Sequence, residues 1–277
     1  MRPRALHNLN MVNDRGREGE RMITPQQEAA AQFLATARKD GRPGARLPED
    51  IRPADLESAL VIQRRIVTLL GQQIGGWKCS VPSEARALNV APIFASTLFR
   101  TSPCDIVTTG AIARIEPEVA FVMGRDLPRR DAPYTDAEIR AAIAEPRLVL
   151  ELLGTRYADP GAAGWPEMMA DFVQNQGLFV GPLVPGGLAA TLESFPVTIR
   201  TPAGVLSTHA GRHGDGHPLR PLYWLANFLA GRDEGLRAGQ VVTTGSYAGA
   251  IDVPVGTPLT VTFGDLGKID IELRSGE

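Results

Sequence analysis

Apolar residues recur with two different periods along the chain, and the period changes after GGWKCS at 75–80. Before that stretch, apolar positions three to four residues apart predict one helix from Pro25 to Gly41 and another over about 55–70. Thr24 and Gln27 have the spacing of a capping box at the start of the first helix. The apolar face predicted for the second helix consists of Leu56, Leu60, Val67 and Leu70.

Beyond GGWKCS, alternating apolar and β-branched residues predict strands at 106–108, 113–123, 147–153, 178–180, 197–201, 241–245 and 258–273. The last range contains FGDLG at 263–267, which is typical of a hairpin turn. Two further helices are predicted, one beginning at Thr135 with Glu138 as its capping partner and one over 218–231. A helical N-terminal part followed by a sheet-rich body indicates an α+β fold.

Composition and charge narrow the class of protein. The 277 residues are 43% hydrophobic and 22% charged with a formal net charge of −2, which argues against a nucleic-acid or membrane-surface partner. No apolar run reaches the ~20 residues that span a bilayer. The two cysteines, Cys79 and Cys104, form no CxxC pair, so a reducing compartment is expected. Residues 1–22 lack an apolar signal sequence, and their polar composition predicts a disordered arm in a cytoplasmic protein.

The segment RIEPEVAF at 114–121 places two carboxylates in an otherwise apolar strand. Glu116 and Glu118 are two residues apart and therefore project from the same face. A third acid, Glu151, stands alone in the apolar run LVLELL. An exposed edge strand would explain the first two without a function, whereas three converging carboxylates match a hard divalent cation such as Mg²⁺ or Mn²⁺.

Five motifs in one order resemble the 2-keto-4-pentenoate hydratase and 4-oxalocrotonate decarboxylase group of the fumarylacetoacetate hydrolase superfamily. They are GWKCS, IEPEVAF, VLELLGTRY, GHPLRPLYWLANFLA and AGQVVTTGSYAG followed by FGDLGKIDIEL. The resemblance covers about residues 24–273. It implies a mixed β-roll, a metal held by Glu116, Glu118 and Glu151, an active-site lysine at Lys78 and a homo-oligomer. On this basis we expect a helical segment at 23–100 and a β-roll catalytic body at 101–277, in one continuous domain.

The resemblance also indicates residues around the metal. Asp171 matches an acid that the family usually follows with Asn, although Phe172 stands there in this chain, and Asp171 is a candidate for handling the water proton. Thr244 and Ser246 of TTGSYAG offer hydroxyls and amides for a substrate carboxylate, or simply form a strand-ending turn. Arg156 is the candidate second cation, or else a surface residue. It follows Gly154, where many relatives carry Asp.

The histidines of THAGRHGDGH resemble a zinc motif only superficially. His209, His213 and His217 are four residues apart, but the glycines among them disfavour the continuous helix that would align three imidazoles. A loop near the active site is the preferred interpretation, with one histidine able to contact substrate.

The leading functional hypothesis is an enzyme that hydrates 2-hydroxypenta-2,4-dienoate to 4-hydroxy-2-oxopentanoate. The metal would act as a Lewis acid on this small 2-oxo acid. Lys78, with its pKa lowered by burial and the metal, would assist proton transfer or polarise the oxo group. A 4-oxalocrotonate-type decarboxylase is the first alternative. An acylpyruvate hydrolase is less favoured, because no histidine lies between His7 and His209. A non-catalytic partner subunit is a further alternative, since enzymes of this group associate with paralogous pathway enzymes.

Overall fold

The computed structural model describes residues 23–84, 86–108, 110–232 and 234–276. The arm predicted over 1–22 lies outside these residues. The helices are α1 Pro25–Asp40, α2 Leu56–Leu69, α3 Asp136–Ala142, α4 Trp165–Ala170 and α5 Leu219–Ala230. The strands are β1 Ile74–Ser80, β2 Asn89–Phe94, β3 Leu98–Phe99, β4 Cys104–Ile106, β5 Ile112–Met123, β6 Ile143–Leu153, β7 Asn175–Leu183, β8 Val197–Thr201, β9 Gly204–His209, β10 Val241–Thr243, β11 Ile251–Pro254, β12 Pro258–Phe263 and β13 Lys268–Ser275.

The two N-terminal helices begin where the sequence predicts. Thr24 and Gln27 form the predicted capping box, and Gly41 ends α1 in the left-handed conformation with a φ of 63°. The predicted face of α2 is wrong in part, because its buried side chains include Ala59, Ile62 and Ile66. This helix packs against both α1 and α4, so its buried face is wider than one stripe of leucines.

The described strands form two sheets. The larger has the order β2-β1-β10-β5-β6-β7-β3, with β11 also paired to β5. The smaller has the order β4-β13-β12-β8-β9, and the FGDLG segment connects β12 to β13 as predicted. Leu34 of α1, Ile66 of α2 and Phe121 of β5 all belong to the same apolar core. The α+β fold is confirmed.

The segment predicted as helical at 23–100 also contains strands, because the chain enters the large sheet at Ile74. The strand β1 was not predicted, since two glycines and a lysine interrupt the alternation of apolar and polar residues. These glycines are needed for packing. A side chain at Gly75 would meet the backbone of Ala95, and one at Gly76 would lie 2.2 Å from the carbonyl oxygen of Val241 in β10.

The two faces of the large sheet differ. Ile115, Val119 and Phe121 point from β5 into the main core. The opposite face carries a smaller apolar cluster around Ala120 of β5 and Val149 of β6. The glutamates of β5 and β6 project from this second face, because they alternate with the core residues. None of the described helices is long and apolar enough to cross a membrane.

Candidate metal centre and active site

Three carboxylates meet on the second face of the large sheet. Glu116 of β5 lies directly opposite Glu151 of β6 in the antiparallel register, and Glu118 follows two residues along β5. One carboxylate oxygen from each residue lies within 4.8 Å of the others. Glu118 and Glu151 are each 1% exposed, while Glu116 is half-buried. The convergence expected from the sequence is therefore present.

Burial and mutual repulsion make this cluster electrostatically costly. Burial, followed by the charge of Glu151, raises the pKa of Glu116 to about 7. Burial, with the charges of Glu151 and Glu116, raises the pKa of Glu118 to about 8 against the hydrogen bonds that it accepts. Carboxyl groups in such surroundings bind protons unless a cation compensates them.

Lys78 supplies one compensating charge. Its Nζ lies 2.7 Å from Oε1 of Glu151 and donates a 3.0 Å hydrogen bond to the carbonyl oxygen of Val173. Burial alone would lower the pKa of Lys78, but the charges of Glu151 and Glu116 outweigh it, and the pKa is raised. Three carboxylates face one ammonium group here, which explains the raised pKa. The lowered pKa expected for Lys78 beside a dication stays a prediction.

The donor set fits a divalent cation. Three carboxylates and one ammonium leave a formal charge of −2 within a small, largely buried volume, which a dication would balance. Carboxylate oxygens are the ligands that Mg²⁺ and Mn²⁺ prefer. A bound dication would also offset the charges that raise the pKa of Lys78, leaving burial as the stronger influence on this group.

Two neighbouring strands orient the carboxylates. At the end of β10, the hydroxyl of Thr243 donates to Oε2 of Glu118. The amide of Gly245, in the loop that follows β10, donates to the same oxygen at 2.8 Å. In β7, Nδ2 of Asn175 donates to Oε1 of Glu151 at 2.9 Å. No role was assigned to Asn175 or Thr243 from the sequence. The alternation of residues in β10 could have indicated Thr243, because this residue pairs with Ala120 on the sheet face that carries Glu118.

A left-handed turn holds the carbonyl that binds Lys78. Phe172, Val173 and Gln174 have φ values of 60°, 48° and 63°, in the region that disfavours residues other than glycine. The conformation costs free energy, most clearly for the β-branched Val173. The result is a backbone carbonyl aimed at the lysine from the segment between Asp171 and Asn175.

Asp171 and Arg156 bind each other. Arg156 donates to Asp171 Oδ1 through Nε at 2.5 Å and to Oδ2 through its backbone amide at 3.0 Å. Arg38 of α1 adds a second ion pair to Asp171 at 3.3 Å. Asp171 is fully buried, and Arg156 is 7% exposed rather than on the surface. These contacts engage both groups in holding the polypeptide around the left-handed turn.

The hydroxyls of Thr244 and Ser246 are also engaged within the protein. Thr244 donates to the carbonyl oxygen of Val119 at 3.3 Å, and Ser246 donates to that of Gly249 at 3.0 Å. Both residues therefore fix the loop after β10, which carries the amide of Gly245. Thr243 at the end of β10 and Gly245 in this loop both contact the carboxylate of Glu118.

The three histidines have separate surroundings. His213 is buried, accepts a hydrogen bond at Nδ1 from the amide of Asp215 and bonds the carbonyl oxygen of Thr244 through Nε2 at 3.0 Å. Burial lowers its pKa to about 4, so this imidazole is neutral at pH 7 and donates from Nε2. His209 bonds Ser207, and His217 accepts from the amide of Leu219. His213 thus supports the loop that carries Gly245.

Comparisons with known proteins agree with this architecture. The chain is 29% identical over 277 residues to a 2-keto-4-pentenoate hydratase of Paraburkholderia xenovorans, covering 92% of the chain and 98% of the relative. A 4-oxalocrotonate decarboxylase of Pseudomonas putida is 34% identical over 91 residues, 31% of the chain and 34% of that relative. The resemblance to the hydratase and decarboxylase group is confirmed. No protein-family model matches the chain.

The fold of this hydratase and decarboxylase group also appears among solved structures. A 4-oxalocrotonate decarboxylase of Pseudomonas putida, complexed with magnesium and adipate, superposes with a TM-score of 0.74 at 22% identity. The match covers 90% of this chain and 97% of that one. The fumarylacetoacetate-hydrolase-like fold is thereby confirmed, and the relatives' names bear out the prediction of an enzyme of the hydratase and decarboxylase type.

Proposed function

We propose that the chain is a divalent-metal-dependent hydratase that converts 2-hydroxypenta-2,4-dienoate (2-oxopent-4-enoate) and water into 4-hydroxy-2-oxopentanoate in the catabolism of aromatic compounds. The observation that carries this proposal is the buried cluster of Glu116, Glu118 and Glu151 with Lys78 at 2.7 Å from one of its oxygens. Relatives named 2-keto-4-pentenoate hydratase match nearly the whole chain and support the same reaction.

The three glutamates would hold Mg²⁺ or Mn²⁺. When bound, the cation supplies Lewis acidity toward the carboxylate and 2-oxo oxygens of the substrate. Thr243, Gly245 and Asn175 keep the glutamate oxygens pointed toward one centre. Fixed orientation of charged groups before substrate arrives is the protein's main contribution to such a site.

Lys78 is the group to which we assign proton transfer. Protonation of the dienol at C5, with loss of its hydroxyl proton, gives a conjugated 2-oxo-3-enoate whose C4 is electrophilic. Water then adds at C4, and a proton is delivered at C3. Lys78 lies beside the carboxylates, and the carbonyl oxygen of Val173 holds its Nζ by a hydrogen bond. The amine can therefore exchange a proton there. Asp171 is paired with Arg38 and Arg156, and we assign it the role of positioning the turn that carries Val173.

The reaction is tested by incubating the purified chain with 2-hydroxypenta-2,4-dienoate and either Mg²⁺ or Mn²⁺. We expect metal-dependent loss of the dienol absorbance and formation of 4-hydroxy-2-oxopentanoate by NMR. Absence of conversion with both metals, at a protein concentration that binds them, would contradict the proposal.

Decarboxylation of 4-oxalocrotonate is the second candidate, favoured by the similarity to the solved decarboxylase. Its substrate carries a second carboxylate, which needs a cation to offset desolvation. Arg156, the cation expected for that role, is buried against Asp171. We therefore expect faster turnover of the dienoate than of 4-oxalocrotonate. Rapid metal-dependent CO₂ release without hydration of the dienoate would reverse this ranking.

The remaining alternatives receive less support from the site. An acylpyruvate hydrolase needs a base for water, and the buried histidine His213 is instead bonded to Asp215 and Thr244. A non-catalytic subunit has no need of the clustered carboxylates and lysine. The homo-oligomer, the association with a paralogous pathway enzyme and the cytoplasmic location stay predictions, of which native mass measurement tests the first two.

A further inference from the structure

Two buried polar atoms at the paired ends of β1 and β2 have no hydrogen-bond partner among the described residues. They are Oγ of Ser80 and Oδ1 of Asn89. Ser80 is 5% exposed, so its hydroxyl has no ready access to bulk water. Buried polar groups without partners are rare in folded proteins, and each one calls for a ligand, a water or another specific explanation.

The two residues are direct neighbours on the face that carries the active site. Ser80 ends β1 and Asn89 begins β2, and they are partners in the antiparallel register. Paired residues of adjacent strands project from the same face, with Cβ atoms about 5 Å apart. Ser80 also lies two residues after Lys78, on the same face and roughly 7 Å along the strand. The pair therefore extends the site from Lys78 toward the ends of β1 and β2.

We propose that Ser80 and Asn89 form a subsite for a hydroxyl group on the carbon chain of the 2-oxo acid, namely the C4 hydroxyl of the hydration product. This inference rests on the proposed function and adds the residues that recognise the far part of the ligand. A hydroxyl both donates and accepts, so it satisfies the serine hydroxyl and the asparagine amide in either orientation of that amide.

The charges around the pair favour a neutral group over a second carboxylate. Lys78 is paired with Glu151, and Arg86, in the connection from β1 to β2, is paired with Asp215. Asp215 also accepts a hydrogen bond from the amide of Val81, next to Ser80. A ligand carboxylate here would be repelled by the negative charge of Asp215. It would also be repelled by Oδ1 of Asn89 whenever the amide turns this oxygen toward the ligand.

The test compares two ligands that differ by one hydroxyl. Isothermal titration in saturating Mg²⁺ gives dissociation constants for racemic 4-hydroxy-2-oxopentanoate and for 2-oxopentanoate. We expect the wild type to prefer the hydroxy acid. Ser80→Ala and Asn89→Leu should each weaken hydroxy-acid binding by about 5- to 10-fold, as expected for one lost hydrogen bond, and change 2-oxopentanoate binding less than about 2-fold. Ser96→Ala, in the segment after β2, is the matched control and should change neither.

A structural role for Ser80 would give a different result. Removal of a hydroxyl that lacks a partner should leave the melting temperature unchanged or raise it, whereas removal of a structural hydrogen bond should lower it. Equal effects of Ser80→Ala and Asn89→Leu on both ligands would overturn the subsite while leaving the proposed hydratase in place. If the wild type binds neither ligand in Mg²⁺ and does not hydrate the dienoate, both proposals are wrong.

Discussion

At the scale of a single residue, substitution of Glu118 is the strongest test of the metal site. Its carboxylate accepts hydrogen bonds from Thr243 and Gly245, so Glu118→Gln should keep the fold while removing one charge from the metal ligands. We expect Mn²⁺ affinity, measured by calorimetry, to fall by at least about 100-fold and turnover to be largely lost, because even residues that only orient ligands contribute 10- to 100-fold. Glu49→Gln, on the surface, is the control. Unchanged affinity would mean that the three glutamates do not hold the metal.

Lys78→Met separates proton transfer from metal binding. Methionine preserves much of the side-chain length but provides no proton and no charge. Metal should still bind, since the three carboxylates stay in place, while turnover should decrease on the order of 100-fold or more. Steady-state assays and Mn²⁺ titration of the same preparation measure the two effects. Near wild-type turnover would leave Lys78 as a countercharge to Glu151 only.

Single residues differ in how far the sequence alone predicts their role. Glu151 was recognisable because a lone carboxylate in an apolar strand needs a partner. Asp171 was a candidate for handling the water proton and Arg156 a candidate second cation or a surface residue, and the structure pairs them with each other. They are 15 residues apart in sequence, and the segment between them includes a loop and the short helix α4, whose local sequence does not indicate that its ends meet. The ion pair is therefore visible only in the three-dimensional structure.

At the scale of elements, adjacent residues of one strand end have opposite roles. Thr243 bonds Glu118, whereas Thr244 bonds the backbone of Val119 on the neighbouring strand. We therefore expect Thr243→Val to weaken Mn²⁺ binding by about 10-fold with little change in melting temperature. The matched variant Thr244→Val should lower the melting temperature and leave the affinity of the folded protein nearly unchanged. Identical behaviour of the two variants would contradict this division.

The elements themselves were predictable where local signals are strong. The capping boxes at Thr24 and Thr135 fixed the starts of two helices, and alternation identified β5 and β6. The strand β1 was missed because it contains Gly75 and Gly76, which interrupt its alternation. It also pairs with β10, where Gly76 and its partner Val241 are 165 residues apart in sequence. Such long-range pairing leaves no local periodic signal.

At the scale of the whole molecule, the carboxylate cluster links stability to pH and metal. The pKa values of Glu116 and Glu118, about 7 and about 8, are raised above the ordinary 4.5. Between pH 4.5 and about 8 the metal-free folded protein therefore retains protons that the unfolded chain has released, and rising pH destabilises it across this window. A bound dication replaces those protons and binds the folded state, so it should stabilise more strongly at higher pH.

Thermal unfolding measures this linkage directly. We expect the increase in melting temperature on adding Mg²⁺ to be larger at pH 8 than at pH 6, and the metal-free protein to melt at a lower temperature at pH 8. The Glu118→Gln variant should lose most of the pH dependence of the Mg²⁺ effect. A metal effect that is equal at both pH values would show that the glutamates do not exchange protons for the cation.

The left-handed turn at 172–174 has a consequence for the kinds of substitution that the chain tolerates. At most half-buried positions, glycine is among the poorer replacements, because it removes packing and increases the entropy of the unfolded chain. Val173 and Gln174 should behave in the opposite way, with glycine and asparagine preserving protein abundance better than other β-branched residues. Phe172 should not follow them, because its buried ring packs beneath the Arg38 guanidinium at 4.0 Å. A saturation library scored for soluble protein would show whether backbone conformation, more than side-chain chemistry, governs this segment's sequence.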